Sequence, residues 1–263
     1  MAALSGAATA QPFPEAKAKF DAGDFAGAAA LFESVAATGG AAKAEAAAFV
    51  LRSWSKAGRH DKVLAQFDTC LAGARGTEFE AECAFERAKS TDLNAKDTTL
   101  ALQQYAEILA KYPSNVFAAS GALLQRGVIE LDHLKTPSTS YNTFEELLRR
   151  YPGSPFVDDA LLAEARNGVA LAQLDIIEMA QRRLDEMSAA PAMLQKAQFE
   201  RGEFFNRAAA NPRAAIREYA RVYKEFAPDA GAAALAKIRV ADLVPRGDFR
   251  AALAMYDDVL ANY

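Results

Sequence analysis

One short pattern returns seven times along this chain: a small residue, an aromatic four positions later, then an aliphatic three further on. It reads Ala28/Phe32/Val35, Val63/Phe67/Cys70, Ala101/Tyr105/Ile108, Ser140/Phe144/Leu147, Ala180/Leu184/Met187, Ala215/Tyr219/Val222 and Ala252/Tyr256/Val259, with Val63, Ser140 and Leu184 departing from the ideal residue types. The first members lie 35, 38, 39, 40, 35 and 37 positions apart, a drifting period of the length that marks stacked helical hairpins. Such a unit buries its apolar face only against its neighbours, so the chain is constrained to an array.

Residues at i, i+4 and i+7 share one face of an α-helix, so each pattern belongs to the second helix of a hairpin and a first helix precedes it. Tight turns stand between them at Gly23-Asp24-Phe25, Gly58-Arg59-His60 and Gly247-Asp248-Phe249, where glycine accepts the left-handed backbone that ends a helix. Tyr112-Pro113 and Tyr151-Pro152 stop two of the second helices. The small residues Ala28, Ala101, Ala180, Ala215 and Ala252 let helices approach. The rings of Phe32, Phe67, Tyr105, Phe144, Tyr219 and Tyr256, with Leu184, fill the space between hairpins and are expected to be buried. The fold class that follows is all-α: a right-handed helical solenoid of about seven helix-turn-helix units and fourteen helices. Longer steps at the third and fourth units point to enlarged loops over Ser90–Asp97 and Lys135–Thr139.

Half of the residues are apolar, enough for a continuous core, and the formal charge of −4 disfavours nucleic acid and anionic membranes, which both select net basic surfaces. Nothing approaches the roughly 18 consecutive apolar residues of a membrane span. Cys70 and Cys83 are too few for a disulfide framework and lack zinc-site spacing. Cys70 is read either as a small buried hydrophobe in its aliphatic slot or as one end of a bridge to Cys83, which would need an oxidising compartment. The start, MAALSGAATAQ, carries Ala8-Thr9-Ala10 in the manner of a secretory cleavage site, without the usual basic start. Residues 1–12 are thus either a shortened signal segment or an alanine-rich terminus, and 13–263 are the array.

With the small residue, the aromatic and the following proline in place, residues 13–263 resemble the tetratricopeptide repeat. The segment Arg150-Tyr151-Pro152-Gly153-Ser154-Pro155-Phe156-Val157-Asp158-Asp159-Ala160-Leu161, with a weaker copy at Ala110-Lys111-Tyr112-Pro113-Ser114-Asn115, is similar to bacterial envelope proteins of the Tol-Pal-associated and outer-membrane-assembly type. That resemblance implies a periplasmic adaptor binding a protein or peptide partner; a cytoplasmic location is the alternative. The last hairpin ends at Asn262-Tyr263, where others continue into proline. No polar capping face is visible there, so the last unit reads as truncated or as a surface for self-association.

Arginine recurs on the first helices at Arg52, Arg87, Arg126, Arg166, Arg201 and Arg239. Four of the six lie 14 residues before their small residue; Arg52 and Arg239 lie 11 and 13 before theirs. In the resembled family first helices line the concave groove, which implies an arginine ladder there. A guanidinium fork suits the carboxylates of an acidic partner segment. Glu86, Glu164 and Glu200 stand beside these arginines, so internal ion pairs between hairpins are the competing reading. Trp54 is read as core, His60 and His133 as surface residues, and Arg149-Arg150 and Arg182-Arg183 as solvated faces. No phosphate loop, nucleophile elbow or metalloprotease motif occurs, and no cofactor or metal is implied. The chain therefore reads as a non-enzymatic interaction scaffold. An accessory region of a larger cell-wall enzyme and a self-assembling structural protein are the alternatives.

Overall fold

The computed structural model describes residues 12–226, 229–245 and 248–263. Gly247 and the Ala8-Thr9-Ala10 segment lie outside the described residues. Fourteen α-helices and no strand occur among those described. They alternate as first and second helices of hairpins: α1 (Pro12–Asp21) with α2 (Phe25–Thr38), α3 (Lys43–Lys56) with α4 (His60–Ala74), α5 (Phe79–Ser90) with α6 (Thr98–Lys111), α7 (Val116–Asp132) with α8 (Pro137–Arg150), α9 (Val157–Leu171) with α10 (Leu174–Glu186), α11 (Pro191–Glu203) with α12 (Pro212–Lys224), and α13 (Ala230–Leu243) with α14 (Phe249–Asn262). The chain divides within α7 into two compact units, residues 1–125 and 126–263.

One backbone device joins the two helices of every hairpin whose turn is described. A residue with positive φ stands immediately before the N-cap of the second helix: Gly23, Gly58, Lys96, Lys135, Ala172 and Ala210. Only two of these are glycine, so four turns hold an L-residue in the left-handed region by virtue of the hairpin around it. Side-chain caps then start several helices: Asp24 Oδ1 accepts from Gly27 N at 2.9 Å, Asp97 Oδ1 from Leu100 N at 2.9 Å and Asn211 Oδ1 from Ala214 N at 3.1 Å. These bonds satisfy backbone donors that an α-helix leaves free at its start.

The first helices differ in length where enlarged loops were expected at Ser90–Asp97 and Lys135–Thr139. Between the ladder arginine and the left-handed residue there are six positions at Arg52–Gly58 and Arg166–Ala172, but nine at Arg87–Lys96, Arg126–Lys135 and Arg201–Ala210. The extra residues lengthen the first helix. Single π-turns, Thr91–Ala95 after α5 and Phe204–Ala208 after α11, carry two of these extensions, and α8 already begins at Pro137. Arg52 and Arg166, Arg87 and Arg201, Gly58 and Ala172, and Lys96 and Ala210 are all 114 positions apart. Hairpins two and three of the first unit are thus echoed by hairpins five and six of the second.

Core packing follows the close-approach logic. Ala28, Phe32, Ala101, Tyr105, Phe144, Ala180, Leu184, Ala215 and Tyr219 are fully buried, and Phe67 nearly so. The partners of several rings are glycines on first helices, which the sequence pattern did not reveal. A Cβ on Gly127 would stand 2.4 Å from the Phe144 ring, one on Gly202 2.4 Å from the Tyr219 ring, and one on Gly168 2.5 Å from Ile177. At the fifth hairpin the pattern needs correction. Ile177 is the residue that meets the first helix, and Met187 is 46% exposed at the end of α10. Tyr256 and Ala252 also fall short of the expected burial: among the described residues α14 packs against α13 and has no fully buried residue.

Cys70 on α4 and Cys83 on α5 are both buried and bonded to each other, with Cα atoms 6.1 Å apart. Both readings of Cys70 therefore meet in one residue: it fills its core slot and ties the second hairpin to the third.

Substitution Ala210→Gly should relieve the left-handed strain and raise stability by about 1 kcal/mol, while Gly202→Ala, despite its better helix propensity, should lower it by about 1–3 kcal/mol through overpacking on Tyr219. Paired thermal melts followed by circular dichroism check both signs.

Candidate partner-binding surfaces

Helical packing brings most ladder arginines onto carboxylates of the chain itself. In the first unit the Arg52 guanidinium is sandwiched between the Phe49 and Phe117 rings, 4.6 and 4.3 Å from their centroids, and bonds Glu82 Oε2 on α5 at 3.2 Å. In the second unit Arg126 bonds Glu130 at 2.8 Å one turn on, and Arg166 reaches from α9 to Asp132 on α7 at 2.5 Å. Arg201 lies 3.0 Å from Glu178 and 3.5 Å from Glu218, and Arg239 bonds Glu203 on α11 at 2.9 Å. Five of the six therefore hold a carboxylate. Neither Glu86 nor Glu164 nor Glu200 makes one of these ladder bonds.

Arg87 is the exception. It is exposed, lies over the Phe67 ring at 4.5 Å from the centroid, and makes no ion pair among the described residues. The 114-residue echo explains why. Arg201, its counterpart, is flanked by Glu178 and Glu218; the corresponding positions around Arg87 are Leu64 and Gln104. Neutral side chains stand where two acids flank its counterpart, and no carboxylate among the described residues pairs with this guanidinium.

A second charged cluster was not legible from spacing. Arg183, expected on a solvated face, bonds Glu145 on α8 at 2.9 Å and approaches Glu164 on α9 at 3.6 Å. Glu164 is almost fully buried, and that burial, reinforced by the neighbouring Glu145 carboxylate and only partly opposed by Arg183, pushes its pKa up to about 9. Glu200 is likewise raised by burial, to about 7, with Arg166 opposing the shift. Arg150 does pair along its own helix, with Glu146 at 2.5 Å.

In the first unit, a 750 Å³ groove runs between α2 and α4 over α3, walled by Ala36, Ala37, Ala47, Thr69, Ala72 and Gly73. One flank is fastened by Glu33, whose Oε1 accepts from Trp54 Nε1 at 3.3 Å and from Gln66 Nε2 at 2.9 Å. Trp54 is buried, with Lys62 Nζ 3.6 Å from its ring centroid, and so serves the core. His60 opens α4, and its Nδ1 lies 3.0 Å from Ser90 Oγ; burial lowers its pKa. No group of three metal-ligating side chains converges among the described residues, and none of their helices is long and apolar enough to cross a membrane.

A carboxylic acid held at about 9 in the fold and near its ordinary 4.5 when unfolded keeps its proton longer in the native state. Native stability therefore falls as pH rises from about 4.5 toward 9. Glu200 contributes the same sign only up to about 7. Between pH 7 and 9 the Glu164→Gln variant, fixed in the neutral form, should show a flatter melting temperature than the parent. Equal slopes would mean that Glu164 is ionised in the fold.

No family model matches the chain, and no curated protein matches it. Among solved structures it is similar to a tetratricopeptide repeat protein from Parabacteroides merdae, with a TM-score of 0.63 at 15% identity over 96% of this chain and 92% of that one. At that identity the likeness concerns the fold: the chain has an all-α, tetratricopeptide-like helical-repeat architecture.

Proposed function

We propose that this protein is a non-enzymatic interaction scaffold that acts as an adaptor in the bacterial cell envelope and binds an acidic segment of a protein partner. The observation that carries the acidic-segment reading is the state of Arg87. Its guanidinium rests over the Phe67 ring, which fixes the fork, while no carboxylate among the described residues pairs with its hydrogen-bonding edge. Such a preorganised fork suits a partner carboxylate. The other ladder arginines serve chiefly as ties within the array, since a partner would have to displace Glu82, Glu130, Asp132, Glu178, Glu218 or Glu203 from them. The fold supports the scaffold reading, because stacked hairpins present long side-chain faces without a catalytic cleft. Export is supported by the Cys70–Cys83 bond, which persists in oxidising compartments, and by the resemblance of residues 150–161 to envelope adaptors.

Fluorescence anisotropy with a labelled glutamate-rich peptide tests the binding site. Arg87→Ala should weaken binding several-fold with an unchanged melting temperature, whereas Arg52→Ala should lower stability by about 1–3 kcal/mol, because the buried Glu82 loses the cation it bonds. Undiminished binding by Arg87→Ala would remove Arg87 from the reading. For export, rapid acid quenching of cells followed by thiol alkylation should find Cys70 and Cys83 blocked as a disulfide; free thiols would place the protein in a reducing compartment.

A further inference from the structure

In the second unit a charged bridge spans the place that the 750 Å³ groove occupies in the first. There Arg183 of α10 lies 2.9 Å from Glu145 of α8 and 3.6 Å from Glu164 of α9. The matching places in the first unit hold Thr69 and Val50, each 114 positions earlier, and Glu33, which follows Phe32 as Glu145 follows Phe144. All three line the groove. The first unit thus has the rim carboxylate, but a buried valine in place of the floor carboxylate and an exposed threonine in place of the guanidinium. Among the described residues Glu33 accepts only from the neutral donors Trp54 Nε1 and Gln66 Nε2, and Asp68, also lining the groove, makes no ion pair. Lys43, exposed and likewise unpaired, stands at the other end, with its Cε 3.8 Å from where a Cβ on Gly73 would be. Gln66 and Gly73 are seven positions apart on α4, so the carboxylate and ammonium ends are separated by roughly 10 Å. Val50 and Leu51 form the apolar floor between them.

We propose that this groove takes a helix of a protein partner that carries a basic, an aliphatic and an acidic side chain in that order along one face. The inference adds a second partner surface to the scaffold and does not use Arg87. What the groove lacks beside the second unit is the combination that Arg183 supplies there, an aliphatic stem with a cationic head held by Glu145. A partner arginine at the Glu33 end restores it. The aliphatic side chain then covers Val50 and Leu51, and the acid meets Lys43. Spacing decides the conformation of the partner. Helix positions i and i+7 share a face and lie roughly 10 Å apart. An extended segment covers that distance in about three residues and turns its first and last side chains to opposite faces, so it cannot bring both charges into the groove. An acyl chain bears its charge at one end and leaves the other end of the groove unanswered.

Fluorescence anisotropy tests this with a labelled alanine-based helical peptide bearing arginine, leucine and glutamate at positions i, i+3 and i+7, titrated with the full chain. Binding should be saturable and should weaken about tenfold when the arginine and glutamate exchange places or when the leucine becomes alanine. Glu33→Gln should weaken it several-fold. Thr69→Arg should abolish it, because the introduced side chain reaches Glu33 from within as Arg183 reaches Glu145; Thr69 is exposed, so the melting temperature should not fall. Absence of saturable binding at the highest soluble concentration, or binding that Thr69→Arg leaves intact, overturns the groove as the site. Indifference to the charge exchange overturns the charge-matched orientation. Binding that Arg87→Ala removes and Thr69→Arg does not would place the peptide on the Arg87 surface and overturn the inference as well. The glutamate-rich peptide reads Arg87, so failure at the groove leaves the acidic-segment reading standing.

Discussion

A helical hairpin of about 35 residues cannot bury both faces of its second helix by itself. The rest of the structure depends on that shortfall. Wherever another hairpin follows, as at α2, α6, α8 and α12, the small–aromatic–aliphatic stripe goes to full or nearly full burial. At α14, which packs on α13 among the described residues, the same stripe stays half open. The burial of Tyr219 and the partial exposure of Tyr256 are therefore not differences in residue chemistry. They measure how many neighbours each helix has.

The second helices were legible in the sequence because their apolar residues recur at helical spacing, and the period alone gave the number of hairpins. First helices were harder to read. Their contribution to the close approach is made by Gly127, Gly168 and Gly202, and a glycine inside a helix carries no periodic signal of its own. The turns were half legible for a related reason. Gly23 and Gly58 announced the left-handed position, whereas Lys96, Lys135, Ala172 and Ala210 adopt it without any residue preference that could have revealed it. Arginine partners were hidden because ion pairs between neighbouring hairpins depend on which turn of one helix faces which turn of the next. That is how Arg166 came to hold Asp132, 34 positions away, while nearby Glu164 lies against Arg183.

The charged residues do two distinct jobs. Arg52, sandwiched by two rings and bonded to the buried Glu82, fixes the lateral position of α3 against α5; its loss would leave a buried carboxylate unpaired. Glu164 works in the opposite sense. Burial beside Glu145 makes its neutral form the native one, so it enters the core as a polar but uncharged group and adds little charge to an already crowded α8–α10 edge. The ladder is consequently less basic toward solvent than six arginines suggest, and at Arg87 a neutral residue, Gln104, stands where its counterpart Arg201 has Glu218.

The same 114-residue comparison separates the disulfide's packing from its covalent effect. Cys70 and Cys83 correspond to Leu184 and Ala197, which are themselves fully buried in the second unit. These two positions form core in either unit whether or not a bond joins them, and a reduced pair of small hydrophobic thiols can still occupy them. What the bond adds is therefore mainly restriction of the unfolded chain. With cysteines 13 positions apart, the loop-closure argument puts that effect at about 3 kcal/mol. The stabilisation is local to the second and third hairpins, which also carry Arg87 and Phe67. The bond thus reinforces the two hairpins between which the Arg87 guanidinium lies over the Phe67 ring.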